Sequence, residues 1–340
     1  GMDGIDQEAV DLAMIDLDDT DNKSSLGGNA TIAVSMAVLH ASAAANELPL
    51  WKYLAGNNDV RIPMPEIQIF GGGAHAGGRV DIQDFMAIPV GAESFDEALE
   101  MVSEVYIAAG RLMADTGKQA GVADEGGWWP QFDTNEEALD MLTRSIEAAD
   151  LEPGEDVAIS LDIAASEFGK DGVYRLGLEG RELDGDGMVE LLGGWIDRYP
   201  IVSIEDPLGE DDPEPFRAFT EKYGTDIQII GDDFLVTNAE RIDDAADAGI
   251  CNSALIKPNQ AGTITETKAA LDAARERGWG TVVSARSGET EDVTIAHLSV
   301  GWNAGQLKVG SFARSERMAK WNEILRIEEA LGDRARLADT

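Results

Sequence analysis

The second half of the chain alternates short apolar runs with longer amphipathic stretches. The runs at 158–162 (AISLD), 202–207 (VSIEDP), 227–233 (IQIIGDD), 254–257 (ALIK), 281–284 and 306–309 are β-branched and short, which predicts buried strands. Between them lie helix starts. Thr237 with Glu240, and Thr263 with Glu266, have capping-box spacing, and the second of these helices stops at Gly278. A last helix is predicted over about 315–331. This βα rhythm predicts a parallel sheet, and the polar residue waiting at each strand end favours a (β/α)8 barrel over an open sheet.

The first part reads differently. Residues 1–57 are helix and loop, with a buried helix predicted over 30–45 after the Gly27-Gly28 turn; His40 within it reads as a packed residue. Pro63 and Pro65 punctuate the passage onward, dividing the α/β chain into a partial, mainly helical N-terminal capping domain (1–60) and a barrel domain (61–340). A glycine-dense loop at 71–78 carries His75, and Gln83 and Asp84 precede another apolar stretch. Capping boxes start helices at Ser94 (with Glu97) and Thr134 (with Glu137), and between them Asp124 and Glu125 sit in a glycine-rich loop.

Charge changes the picture more than composition does. With 65 Asp and Glu against 26 Lys and Arg, the formal net charge is -39, which excludes nucleic acid and anionic membranes as partners of the surface at large. The acids are spread along the chain, as suits a solvated surface in a high-salt cytosol. A single cysteine, Cys251, rules out an intramolecular disulfide framework and reads as a packed residue. No membrane span and no basic leader region are read in the sequence, so a cytoplasmic protein is expected.

In a parallel barrel the strand ends meet at one face, so Asp162, Glu205, Asp232 and Lys257 converge although roughly 25 to 45 residues separate each from the next. Asp206 and Pro207 shape the turn that presents Glu205. Three carboxylates offer oxygen ligands only, which suits Mg2+ or Mn2+ better than zinc, and the chain has no HExxH, GxSxG or Walker pattern. A lysine beside a divalent cation loses its proton nearer neutral pH and becomes a candidate base. Arg286 with Ser287, and Lys308, stand at further strand ends as anion clamps.

These residues resemble enolase (phosphopyruvate hydratase). The matching stretches are HAG (75–77), QDFM (83–86), DEGG (124–127), SLDIAASEF (160–168), YPIVSIEDP (199–207), GDD (231–233), IKPNQ (256–260), RSGETED (286–292) and RIEEALG (326–332). The resemblance implies Mg2+-dependent, reversible dehydration of 2-phospho-D-glycerate to phosphoenolpyruvate, in glycolysis and gluconeogenesis. By it, Lys257 abstracts the C2 proton and Glu125 protonates the leaving hydroxyl, with Asp84 the carboxylate that reaches toward Glu125. Asp162, Glu205 and Asp232 hold the first Mg2+, Arg286 and Ser287 grip the phosphate, Lys308 the carboxylate, and His75 and Gln83 line the pocket. The family uses a second Mg2+ and forms homodimers or larger homo-oligomers.

Three departures stand out: Ala285 replaces a histidine, Asp84 a glutamate, and the first part of the N-terminal domain, with its mobile serine loop, does not precede Gly1, which reads as a truncation edge. The acidic surface, and not these departures, suggests a haloarchaeal enzyme. The readings they leave open are a noncatalytic paralogue with a binding or assembly role and a related dehydratase of another acid.

Overall fold

A computed structural model describes residues 1–339, His75 by its backbone alone. Eight strands close a barrel: β1 (Met64–Gly71), β2 (Asp84–Ile88), β3 (Ala158–Asp162), β4 (Ile201–Glu205), β5 (Gln228–Gly231), β6 (Ser253–Ile256), β7 (Gly280–Ser284) and β8 (Gln306–Gly310). Each pairs with the next, and β8 pairs back with β1. All six strands predicted in the second half are present, within two residues of the expected bounds.

The barrel is not wholly parallel, which corrects the sequence reading: β2 runs antiparallel to both β1 and β3. The reason is the connection. Only a glycine-rich loop with one 3-10 turn (Gly73–Ala76) joins β1 to β2, and a parallel return needs a long crossover. The reversal brings the first residue of β2, Asp84, to the rim where the other strands end, in register with Asp162.

Inward positions change character along the strands, because alternate residues share a face. On β5 and just beyond it the sequence runs Gln228, Ile230, Asp232; on β6, Ser253, Leu255, Lys257; on β7, Gly280, Val282, Ser284. The middle residues, Ile230, Leu255 and Val282, form an apolar cluster of their own, separate from the main core between strands and helices. Below them Gln228 donates to Ser253 Oγ at 2.8 Å and Gln306 Oε1 at 2.6 Å and accepts from Ser203 at 3.1 Å.

The helices are α1 (Gln7–Asp18), α2 (Gly28–Ala45), α3 (Leu50–Ala55), α4 (Phe95–Thr116), α5 (Asn135–Ala148), α6 (Gly185–Ile196), α7 (Pro213–Tyr223), α8 (Ala239–Ala248), the single turn α9 (Pro258–Ala261), α10 (Ile264–Glu276), α11 (Thr294–Gly301) and α12 (Ser315–Leu331). Ser94, Thr134 and Thr263 cap α4, α5 and α10 as expected, each accepting from the amide three residues on at 3.1–3.2 Å. Thr237 does not cap α8. Asn238 does, accepting from the Arg241 amide, while Thr237 is buried and bonds across to β6.

A second correction concerns α2. Six of its 18 residues are buried, not the whole helix, and it is long and apolar enough by length and composition to cross a membrane, contrary to the sequence reading. The face it buries is rich in hydroxyls, which explains its attachment to the barrel side: Ser35 Oγ accepts from Gln7 Nε2 at 3.0 Å and from the Ile264 amide, the first of α10, at 2.9 Å. His40 bonds Thr294 Oγ1 at 2.8 Å.

Candidate active site

The barrel's C-terminal mouth holds a cavity of about 170 Å3, lined by Gln83, Glu125, Asp162, Asp232, Lys257, Arg286, Ser287 and Lys308 among others. Glu205 and Asp84 lie beneath it, both fully buried. The side chain of His75 lies outside the described residues.

Lys308, on β8, reaches across the barrel. Its Nζ is 2.7 Å from both Asp162 Oδ2 and Glu205 Oε2, and 3.9 Å from Asp84 Oδ2. Gln83 Nε2 also donates to Asp162 Oδ2, at 2.9 Å. Lys257, one residue past β6, pairs with Asp232, one residue past β5. The other Asp232 oxygen accepts from Gln260 Nε2 at 2.8 Å; Gln260 Oε1 in turn accepts from Thr237, whose hydroxyl also accepts from the Lys257 amide. Thr237 thus joins the base candidate to its counter-ion.

Glu205, Asp84, Asp232 and Lys257 titrate as a charged cluster in low dielectric. Burial pushes Glu205 well up, helped by neighbouring Asp162 and opposed by Lys308. Asp84 is likewise driven well up, by burial and then by Glu125. On Asp232 burial also acts upward, but Lys257 outweighs it and holds the carboxyl below its usual range. On Lys257 burial works toward the neutral form and is outweighed by Asp232 and Glu205, so its protein neighbours alone favour the ammonium.

The donor chemistry fits a hard cation. Asp162 Oδ1 and Glu205 Oε1 are buried and have no hydrogen-bond partner among the described residues, an expense that a bound divalent ion would remove. Another acidic trio, Asp206, Asp232 and Asp233, brings its oxygens within 4.8 Å of one another. Asp206 is less suited to a ligand's role: its two oxygens accept the Asp232 and Asp233 amides at 3.0 and 2.8 Å, and with φ at +42° it shapes the turn after β4. The orphaned oxygens favour Asp162 and Glu205 over it.

Arg286 and Ser287 follow β7 in a loop that α12 holds from below. The buried Arg317 donates to the Arg286 and Ser287 carbonyls, both at 2.6 Å, and the buried Lys320 to Glu289 and the Thr290 carbonyl. Ala285 lies at the strand end, its amide on the Lys308 carbonyl.

Sequence reasoning missed Arg317 and Lys320, which lie in a last helix that mixes Arg, Glu and apolar residues. It also missed Glu66 and Gln68 on β1. Glu66 is fully buried, accepts from Ser160 and stands in register with Lys308; burial pushes its carboxyl up, against Lys308. The available signal was the alternation Glu66-Ile67-Gln68-Ile69, a strand whose polar face has no reason to be outside.

Two family models match the chain: "Enolase, N-terminal domain" over residues 1–54 and "Enolase, C-terminal TIM barrel domain" over 59–340. A curated relative, Enolase 1 of Desulfitobacterium hafniense, is 52% identical over 338 residues, an alignment spanning 98% of this chain and 77% of the relative.

Proposed function

Since the chain belongs to the enolase family, we propose that the barrel mouth performs that family's reaction with the residues assembled there. The protein is a phosphopyruvate hydratase, a hydro-lyase interconverting 2-phosphoglycerate and phosphoenolpyruvate. One observation carries the residue assignment: Lys257 and Glu125, brought from distant elements, line the same cavity above the two orphaned carboxylate oxygens.

Lys257 takes the C2 proton, and the electron pair left on C2 moves into the substrate carboxylate. Lys308 neutralises that carboxylate. The pair then returns to form the C2–C3 double bond while the C3 hydroxyl leaves with a proton from Glu125, whose carboxyl Asp84 supports. Arg286 and Ser287 hold the phosphate, with His75 and Gln83 completing the pocket. Asp162, Glu205 and Asp232 would hold Mg2+, which supplies positive charge for the doubly negative enolised carboxylate.

The same reading makes residues 1–60 a capping domain, the assembly a homodimer or larger, and the acidic surface an adaptation to a high-salt cytoplasm. The test is to purify the protein in molar KCl and follow phosphoenolpyruvate formation from 2-phosphoglycerate with Mg2+. Turnover that rises with KCl is expected; no turnover while calorimetry shows Mg2+ bound would reject the assignment.

A further inference from the structure

Gln68 lies on β1, 1% exposed, and takes no place among the groups that reach the cavity. Both ends of its carboxamide are engaged. Oε1 accepts from the Gly127 amide at 2.8 Å, and Nε2 donates to Asp84 Oδ1. The orientation is settled by the Gly127 amide, which can only donate: the reverse would set the Gln68 NH2 against that N–H. The amide is also clasped. A Cβ on Gly127 would come within 2.5 Å of Gln68 Oε1, and one on Gly71 within 3.2 Å of Nε2.

Gly127 closes the loop that presents Glu125, through the Ala123 amide on the Gly127 carbonyl at 2.8 Å. One side chain therefore ties the Asp84 carboxylate to the Glu125 loop. Since Gln68 occupies Asp84 Oδ1, the other oxygen, 3.9 Å from Lys308 Nζ and without a hydrogen-bond partner among the described residues, is the one left for the site. The loop has other anchors, because the Glu125 carbonyl accepts from the Ser311 amide at 2.8 Å and the Gly126 carbonyl from Tyr106 at 3.2 Å. Losing Gln68 should therefore misalign the loop and not unfold it. Lys257, one residue past β6, has no bond to any of these groups among the described residues.

We propose that Gln68 is a positioning residue for the acid half of the reaction: it holds Asp84 and Glu125 in register for protonating the leaving hydroxyl, and leaves proton abstraction by Lys257 untouched. This rests on the assignment of Lys257 and Glu125 made above, and it divides the reaction into two measurable parts. Exchange of the C2 hydrogen of 2-phosphoglycerate with deuterated water needs the base alone; phosphoenolpyruvate formation needs both halves.

The experiment compares Gln68→Met, which removes both hydrogen bonds at similar volume, with Gly127→Ala, which displaces the amide from the opposite side. Both rates are measured in each folded variant. Misplacement of this kind lowers a rate by about a hundredfold, so we expect product formation to fall about that much in both variants while exchange stays within about threefold of the parent. In a double-mutant cycle, Gln68→Met should add little once Asp84→Ala is present. Equal loss of exchange and product formation in the variants, full additivity in the cycle, or no loss at all overturns the proposal. A parent enzyme that neither exchanges the C2 hydrogen nor forms product rejects the underlying assignment instead. If Gln68→Met fails to fold, Gly127→Ala decides alone.

Discussion

The two ends of the barrel interior are built from similar inward positions and solved in opposite ways. At the N-terminal end, Ser203, Gln228, Ser253 and Gln306 are neutral, and Gln228 bonds to all three of the others. At the C-terminal end the groups are charged, and oxygens of Asp84, Asp162 and Glu205 are left without hydrogen-bond partners among the described residues. The apolar cluster of Ile230, Leu255 and Val282 lies between. A neutral network whose members satisfy one another adds stability and specificity; unsatisfied buried carboxylates cost stability and are retained where a ligand can complete them. The contrast teaches where this molecule stores strain for chemistry and where it does not.

Substitutions at the two ends should break apart cleanly. The largest effect is expected from Lys257→Ala: loss of the base should lower turnover by about 10³- to 10⁴-fold, with the circular dichroism spectrum unchanged. An unaltered steady-state rate would remove Lys257 from the chemistry. Next is Asp162→Asn, which keeps the shape and removes a charge; Mg2+ affinity by titration calorimetry should weaken by about 100-fold, the upper end of what altered metal surroundings produce.

Arg317→Met probes the link between α12 and the phosphate loop. The Arg286 and Ser287 carbonyls lose a buried cation, so KM for 2-phosphoglycerate should rise by about tenfold, the equivalent of ~1.4 kcal/mol, with kcat less affected. The smallest catalytic effect belongs to the far end. Gln228→Met strands the Gln306 oxygen and two serine hydroxyls, and should cost about 1–3 kcal/mol in urea unfolding, yet leave kcat/KM within about twofold. A large catalytic defect there would show that the apolar layer does not separate the two ends.

Much of the barrel was legible because its signals are local. Six strands announced themselves as short β-branched runs, and Asp162, Glu205, Asp232, Lys257 and Lys308 were readable as polar residues at or just past strand ends. Thr237 shows the limit: capping-box spacing fits it, but its hydroxyl was claimed by the Lys257 amide and Gln260, so the cap passed to Asn238. For α2, the apolar composition was plain and the buried face was not, since Ala, Ser and Thr at helical spacing do not say which side meets a neighbour.

By itself the sequence determined the rhythm of elements and the acidic, oxygen-rich character of the rim, because strand propensity and alternation act over a few residues. Tertiary structure alone decided that β2 runs backward and so delivers Asp84 to the active rim, that Lys308 spans the barrel to Asp162 and Glu205, and that Gln68, Glu66 and Arg317 are buried supports. The physical reason is distance along the chain: Gln68 meets Gly127 and Arg317 meets Arg286 only after the barrel closes, and no local pattern records a partner 59 or 31 residues away.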